Sequence, residues 1–104
     1  MDASTLINRY QSGKRDFSWA SLPQADLSGE NLANINLYRA NLAEANLTKA
    51  NLANANLFKA NLSGTNLTGA NLAGANLRKA DLRGAQCEAE TLQGADWHGA
   101  LLST

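Results

Sequence analysis

Residues 25–85 read ADLSGENLANINLYRANLAEANLTKANLANANLFKANLSGTNLTGANLAGANLRKADLRGA, a five-residue unit repeated without a break. Each unit has a leucine at position i, asparagine or aspartate at i−1, usually alanine at i−2, and variable residues at i+1 and i+2. Thirteen leucines run from Leu22 to Leu82 at this spacing, and ten asparagines precede the leucines from Leu32 to Leu77. So strict a period indicates a solenoid of stacked short repeats.

A period of five matches neither regular helix nor flat strand. Leucines five apart on an α-helix would advance by about 140° net and scatter around its axis. On one flat strand they would fall alternately on both faces. The backbone must therefore turn once per repeat, with leucine and alanine pointing inward and the amide outward. Seven of the eight glycines occupy position i+2, where a turn needs positive φ: Gly29, Gly64, Gly69, Gly74, Gly84, Gly94 and Gly99.

The residues at position i form the predicted hydrophobic core. They share an inward direction, and the small residues at i−2 allow the layers to close. Cys87 takes one of these positions as a small buried hydrophobe. The predicted core consists of Phe17, Leu22, Leu27, Leu32, Leu37, Leu42, Leu47, Leu52, Leu57, Leu62, Leu67, Leu72, Leu77, Leu82, Cys87 and Leu92.

This pattern resembles the pentapeptide repeat family, whose signature is A(D/N)LXX. The resemblance spans residues 17–102, which is eighteen repeats. It implies an all-β fold, a right-handed quadrilateral parallel β-helix with four repeats per coil and about four and a half coils. One internal observation agrees with a twenty-residue coil, since Tyr38 and Phe58 are twenty residues apart. The N-terminal segment followed by Gly13 and Phe17 is similar to cyanobacterial members.

Residues 1–14 lack the repeat and are predicted to form an N-terminal capping helix and linker, with the solenoid covering residues 15–104. The helix is expected over residues 3–12, with Asp2 or Ser4 as its N-cap and Gly13 ending it. Its apolar side chains lie on one side and would cover the first coil, as a solenoid end requires. These side chains are Leu6, Ile7 and Tyr10.

Charge and composition argue against some classes of binding partner. Nine basic and nine acidic residues cancel, so no strong field attracts nucleic acid or anionic lipid. The single cysteine, Cys87, permits no intrachain disulfide and suits a reducing compartment. The first fourteen residues are polar, unlike a signal peptide, and no apolar run is long enough to span a membrane. We therefore expect a soluble cytoplasmic protein that does not associate with membranes.

Aromatic and cationic residues form the most distinctive predicted surface, which we call the aromatic–basic stripe. With twenty-residue coils, Tyr38, Phe58, Arg78 and His98 would stack in one column, next to a column of Trp19, Arg39, Lys59 and Lys79. Such neighbours can attract one another and can stack a partner's rings. The alternative is a solvated ladder that only adds stability. The stripe comprises Trp19, Tyr38, Arg39, Phe58, Lys59, Arg78 and Lys79.

The C-terminal coil has no second capping element in its sequence. Leu101 takes the position of an outward asparagine, so an apolar side chain faces solvent there. An open solenoid end invites pairing with another chain, and a homodimer is one predicted result. The C-terminal edge comprises Trp97, Leu101 and Leu102.

Catalytic and cofactor chemistry find almost no support in the sequence. Cys87 is predicted to point inward and His98, the only histidine, outward on another face, so they do not form a nucleophile pair. No cluster has the spacing of metal ligands, and the glycines serve turns rather than a phosphate-binding loop. No cofactor is predicted, and the protein is not expected to be an enzyme.

The leading functional hypothesis is a noncatalytic interaction or scaffold module for an unidentified protein partner. One alternative comes from the family resemblance, since some members mimic DNA and bind gyrase. That activity needs a strongly acidic surface, whereas this chain is neutral. Another alternative is weak nucleic-acid binding through Tyr38 and Phe58, although three or four charges are too few for tight binding at cellular salt.

Overall fold

The computed structural model of the protein describes residues 1–103, so Thr104, the last residue of the predicted repeat region, lies outside it. Within these residues, thirteen parallel bridges hold the solenoid together, from Asp16–Asn36 to Asp81–Leu101. Each bridge joins position i−1 of one repeat to the residue twenty positions later. Four repeats therefore complete one coil. Each bridged repeat contributes a single bridging residue, because the backbone turns again before a longer strand can form.

A β-turn follows every residue at position i from Phe17 to Leu82. The N–H of the following i−2 residue donates to the leucine carbonyl, as from Ala60 to Leu57 at 3.0 Å. The residue at i+2 has positive φ, which is the geometry of a type II turn. This conformation is not confined to glycine and asparagine, since Lys59 adopts it at 56° and Trp19 at 65°. Stacking between coils therefore imposes the left-handed conformation on residues that do not favour it.

An outward asparagine or aspartate at i−1 closes a second, local ring in its repeat. Its Oδ1 accepts a hydrogen bond from the backbone N–H at i+1, at 3.0 Å between Asn41 and Ala43 and between Asn76 and Arg78. Asparagine and aspartate both place an acceptor at this distance, which explains why these two residues alternate there. A ladder bond between coils also occurs, from Asn51 Nδ2 to Asn31 Oδ1 at 3.2 Å.

The core is a column of leucines with alanines between them. Phe17 and every leucine from Leu22 to Leu82 are buried, and the alanines at i−2 from Ala40 to Ala80 are buried as well. Two predicted core residues differ, because Cys87 and Leu92 are only half-buried. They belong to the last coil, and no further coil covers them among the described residues.

Helix α1 spans Ala3–Gln11 and closes the N-terminal end. The Asp2 carboxylate caps it by accepting from Thr5 N–H at 2.9 Å. After Ser12 the chain leaves the helix through Gly13, at a φ of 108°, and the last helical carbonyls accept from Gly13 and Lys14. Leu6 is fully buried against the first coil. Ile7 and Tyr10 pack partly buried beside it.

Helix α2 spans Ala89–Gln93 and was not expected from the sequence. It interrupts the solenoid, and the bridge that the period would place between Asn71 and Thr91 is absent from the described residues. The expectation of positive φ at Gly94 is also wrong, because Gly94 ends α2 with a φ of −83°. The parallel bridges resume with Asn76–Asp96.

Neither helix in residues 1–103 is long and apolar enough to cross a membrane.

Candidate interaction surfaces

Three aromatic rings of the aromatic–basic stripe form one continuous stack. The Tyr38 and Phe58 rings lie nearly parallel, with centroids 5.8 Å apart and an interplanar angle of 3°. The Trp19 ring meets Tyr38 edge-on, at 6.1 Å and 77°. The turns place these side chains on one corner of successive coils, so neighbouring rings are one layer apart. The result is an apolar strip along the solenoid, and Trp19 is 65% exposed.

Cations of the stripe lie against these rings. The Arg39 guanidinium is 5.1 Å from the Trp19 ring centroid and 5.6 Å from that of Tyr38, and its Nε donates to the Tyr38 hydroxyl at 3.2 Å. Lys59 Nζ is 5.7 Å from the Phe58 centroid. These distances allow attraction between each cation and the ring face. These contacts orient Arg39, and within residues 1–103 its Nη groups make no hydrogen bond.

The two separate columns predicted for the stripe do not describe its geometry fully. Trp19 leans across to Tyr38, so the aromatic stack crosses from one column to the other. Arg78 turns away toward the next coil, where its Nη1 lies 3.3 Å from Asp96 Oδ2. The Lys79 and His98 side chains are both exposed. The Lys79 backbone N–H donates to the His98 carbonyl.

The C-terminal edge is exposed at all three of its predicted residues. Trp97 is 43% exposed, Leu101 49% and Leu102 42%. Although Trp97 and Leu102 occupy position i, the described residues provide no layer above them. An open cleft of about 210 Å³ lies at this end of the core. Its lining consists of Leu82, Ala85, Cys87, Leu92, Leu102 and Ser103.

The two residues considered for catalysis, Cys87 and His98, lie in different environments. Burial, followed by the nearby Glu88 carboxylate, raises the pKa of the Cys87 thiol, which disfavours a reactive thiolate. The thiol donates to the Glu88 carbonyl at 3.6 Å, and His98 is exposed. Within residues 1–103, no group of histidine, cysteine, aspartate and glutamate is arranged to hold a metal ion.

The sequence did not predict α2, and within residues 1–103 this helix leaves Leu72 N–H and Ala70 C=O, on either side of Asn71, without a backbone partner. A signal was present in residues 86–91, QCEAET, where the repeat is at its weakest. Ala89 stands at i+2, where the turn needs positive φ, which alanine does not favour. Thr91 stands at i−1, where an asparagine or aspartate side chain normally accepts the local hydrogen bond.

The sequence and the coil geometry now allow assignment to a family. The model of the family described as pentapeptide repeats matches in eight copies, over residues 16–54, 35–72 and 55–86. The chain is a pentapeptide repeat protein. This confirms the resemblance inferred from the A(D/N)LXX pattern. No curated protein sequence matches this pentapeptide repeat protein.

Solved pentapeptide repeat structures from cyanobacteria are similar to it. HetL from Nostoc sp. strain PCC 7120, involved in heterocyst differentiation regulation, is 31% identical with a TM-score of 0.66, covering 82% of this chain and 46% of HetL. Rfr23 from Cyanothece 51142 is 34% identical with a TM-score of 0.58, covering 100% and 74%. The Nostoc PCC 7120 protein alr5209 is 30% identical with a TM-score of 0.51, covering 97% and 95%. The chain thus spans less than half of HetL's length.

Proposed function

We propose that this pentapeptide repeat protein is a noncatalytic interaction module that binds a protein partner through the aromatic–basic stripe. The observation that carries the proposal is the continuous stack of Trp19, Tyr38 and Phe58 flanked by Arg39 and Lys59. Solvent-facing rings beside cations are typical of protein contact surfaces, where aromatic residues and arginine supply much of the binding energy.

The chemistry of the stripe favours an acidic, extended segment as the ligand. Arg39, Lys59 and Lys79 stand one above another on successive coils, so they present a column of positive charge about 4.8 Å per step. Carboxylates of a partner would pair with this column, and the partner's apolar side chains would pack on the rings. The column is local, because the chain as a whole carries no net charge.

The proposal also includes the handedness and four-sided shape of the solenoid and the cellular location of the protein. The parallel bridges every twenty residues support a right-handed quadrilateral β-helix, the form that the family resemblance implies. A cytoplasmic location fits the free Cys87 thiol. The exposed C-terminal edge is proposed as a second contact, through which two copies would pair.

The alternatives make different demands on the surface. DNA mimicry toward gyrase needs a dense acidic surface, whereas the stripe is cationic and nine acidic residues are balanced by nine basic ones. Nucleic-acid binding would use the same rings for base stacking, but few cations are available to neutralise phosphates. Single-stranded DNA is therefore a useful competing ligand.

The test is fluorescence anisotropy with matched acidic and neutral decapeptides and with single-stranded DNA. The double variant Tyr38→Ala/Phe58→Ala removes rings that lie outside the core, and Lys49→Ala/Thr68→Ala changes another corner of the same coils. We expect the acidic peptide to bind the wild type and the corner control, and to bind the ring variant about tenfold more weakly or worse. Added salt should weaken this binding.

Equal binding of acidic peptide to the wild type and the ring variant would contradict the stripe as the contact surface. Preference for single-stranded DNA over the acidic peptide would instead support the nucleic-acid alternative. Light scattering of the Leu101→Asp variant separately tests the C-terminal edge, since a homodimer through that edge should become monomeric.

A further inference from the structure

The interruption of the solenoid at α2 leaves one bridge position open. In regular repeats the leucine N–H donates to the next coil, as Leu52 does to Asn71 at 2.8 Å. By the same rule Leu72 N–H should donate to the carbonyl of Thr91, and Thr91 N–H should donate to the carbonyl of Ala70. Instead, Thr91 N–H donates to the carbonyl of Glu88, the N-cap of α2, at 3.0 Å in the first turn of that helix. Within residues 1–103, Leu72 N–H and Ala70 C=O have no backbone partner.

The number of residues around α2 is that of a regular solenoid. Gln86 bridges Asn66, and Asp96 bridges Asn76, so the ten-residue step between the two bridges is unchanged. The changes are local: Gly74 N–H reaches the carbonyl of Gly94 at 2.6 Å instead of that of Gln93, and the Glu88 carbonyl accepts from Thr91 N–H instead of Gly69 N–H. Since no residue is inserted, the α2 segment has the length needed to form the missing repeat.

A matched repeat sixty residues earlier shows what drives the departure. Glu30 and Glu90 both replace the alanine at i−2, yet Glu30 keeps a regular turn and accepts from Asn51 N–H at 2.9 Å. The glutamate alone therefore does not break the repeat. The flanking residues differ, because Gly29 with a φ of 69° corresponds to Ala89, and Asn31 corresponds to Thr91.

These two differences favour a helix in physical terms. Alanine is strained at positive φ and is the best helix former, so Ala89 opposes the turn and supports α2. Asn31 Oδ1 accepts from Ala33 N–H at 3.2 Å, which stabilises the repeat. Thr91 has a shorter side chain with a single hydroxyl, which lies 3.4 Å from Glu88 Oε2 instead.

We propose that residues 89–93 form a two-state segment, either α2 or a regular repeat in which Thr91 bridges Asn71. In the repeat form, Leu72 N–H and Ala70 C=O are paired, Leu92 points into the core, and the last coil presents four complete sides. In the helical form one side of that coil is missing. The segment is thus a conformational device that changes the shape of the C-terminal end of the solenoid.

Amide hydrogen exchange and carbon chemical shifts measured by NMR test this proposal. The variant Ala89→Gly/Thr91→Asn restores the residues found at 29 and 31 and should convert the segment to a repeat. We expect the helical shifts of residues 89–93 to disappear and exchange at Leu72 to slow at least about tenfold, while exchange at Leu52 stays the same. The reciprocal variant Gly29→Ala/Asn31→Thr should speed exchange at the matched Leu32 position.

Retention of helical shifts and of fast Leu72 exchange in the double variant would overturn the proposal. A wild-type Leu72 amide that exchanges as slowly as Leu52 would overturn it as well, because the open bridge position would then not exist. If the double variant lost its fold, seen as fast exchange at Leu52, the single change Ala89→Gly provides the same comparison with less disturbance.

Discussion

The Tyr10 hydroxyl donates a 2.7 Å hydrogen bond to the backbone carbonyl of Ala33. A carbonyl at position i+1 normally accepts a hydrogen bond from a backbone N–H of the preceding coil, as the Ala53 carbonyl does from Asn34 N–H. Ala33 also stands at i+1, but it belongs to the first coil and has no preceding coil. The helix therefore replaces the missing coil at a backbone acceptor as well as covering apolar surface. A carbonyl buried without such a partner would destabilise the end of the solenoid.

Removal of this hydroxyl should destabilise the protein measurably. We expect Tyr10→Phe to lower the free energy of unfolding by about 1 kcal/mol, the usual effect of losing one such hydrogen bond. Urea denaturation provides the measurement. Tyr38→Phe is the matched control: within residues 1–103 the Tyr38 hydroxyl hydrogen-bonds only the Arg39 side chain, so its loss should cost much less. Equal effects of the two changes would contradict a capping role for Tyr10.

Truncation of a central core leucine should cost far more than truncation at the C-terminal edge. Leu52 has no exposed surface and packs between complete coils, so Leu52→Ala should lower the free energy of unfolding by about 2–5 kcal/mol. Leu102 is 42% exposed, and Leu102→Ala should cost less than about 1 kcal/mol. Equilibrium unfolding of both variants provides the measurement. Equal losses would contradict the conclusion that Leu52 packs between complete coils whereas Leu102 lies at an uncovered edge.

The side-chain acceptor at i−1 should matter more than its charge. Asn41 Oδ1 accepts from Ala43 N–H, so Asn41→Ala should cost about 1 kcal/mol, by analogy with the loss of a helix cap. Asn41→Asp keeps the acceptor and should stay close to the wild type. Thermal unfolding of the pair tests this. A larger loss in Asn41→Asp than in Asn41→Ala would show that the local ring is not what selects these residues.

The aspartates at i−1 should make the free energy of unfolding depend on pH. Bonds from the Ser18 hydroxyl and N–H lower the pKa of Asp16, and those from Ser28 lower the pKa of Asp26. A lowered folded pKa contributes stability above the unfolded value, which is lost as pH falls through the folded pKa. Unfolding followed from pH 7 to pH 2 should show a decline below about pH 4.

The double variant Asp16→Asn/Asp26→Asn tests the origin of that decline. It retains an acceptor at both positions but removes the titrating groups, so we expect a shallower fall in stability over the same range. An identical acid profile would mean that other carboxylates, such as Asp81 or Asp96, account for the dependence.

Much of the core was predictable because leucine spacing determines it. The run from Leu22 to Leu82, with a small residue at i−2 before most of these leucines, leaves one way to bury apolar surface together. The twenty-residue coil came from family resemblance, because a five-residue period does not say how many turns close a coil. The bridges between residues twenty apart supply that number.

Other features of the structure depend on competition between local backbone preference and packing between coils, which the identity of a single residue does not reveal. Lys59 adopts positive φ although glycine is preferred there, because its N–H donates to the Arg78 carbonyl of the next coil while the adjacent Phe58 carbonyl accepts from Arg39 N–H of the previous one. Helix α2 arises where Ala89 and Thr91 together oppose the turn, although the leucine register continues at Leu92. The lean of Trp19 onto Tyr38 likewise depends on side-chain packing across a corner.

Disulfide trapping tests the twenty-residue coil most directly. In a Cys87→Ala background, cysteines replacing Ala53 and Ala73 would stand on adjacent coils, about 4.8 Å apart, which suits a disulfide. A pair replacing Ala43 and Ala53 would be ten residues and half a coil apart, and serves as the control. We predict an intrachain disulfide in the folded Ala53→Cys/Ala73→Cys variant and free thiols in the control. Free thiols in the first variant with a disulfide in the second would contradict the stacking of residues twenty apart.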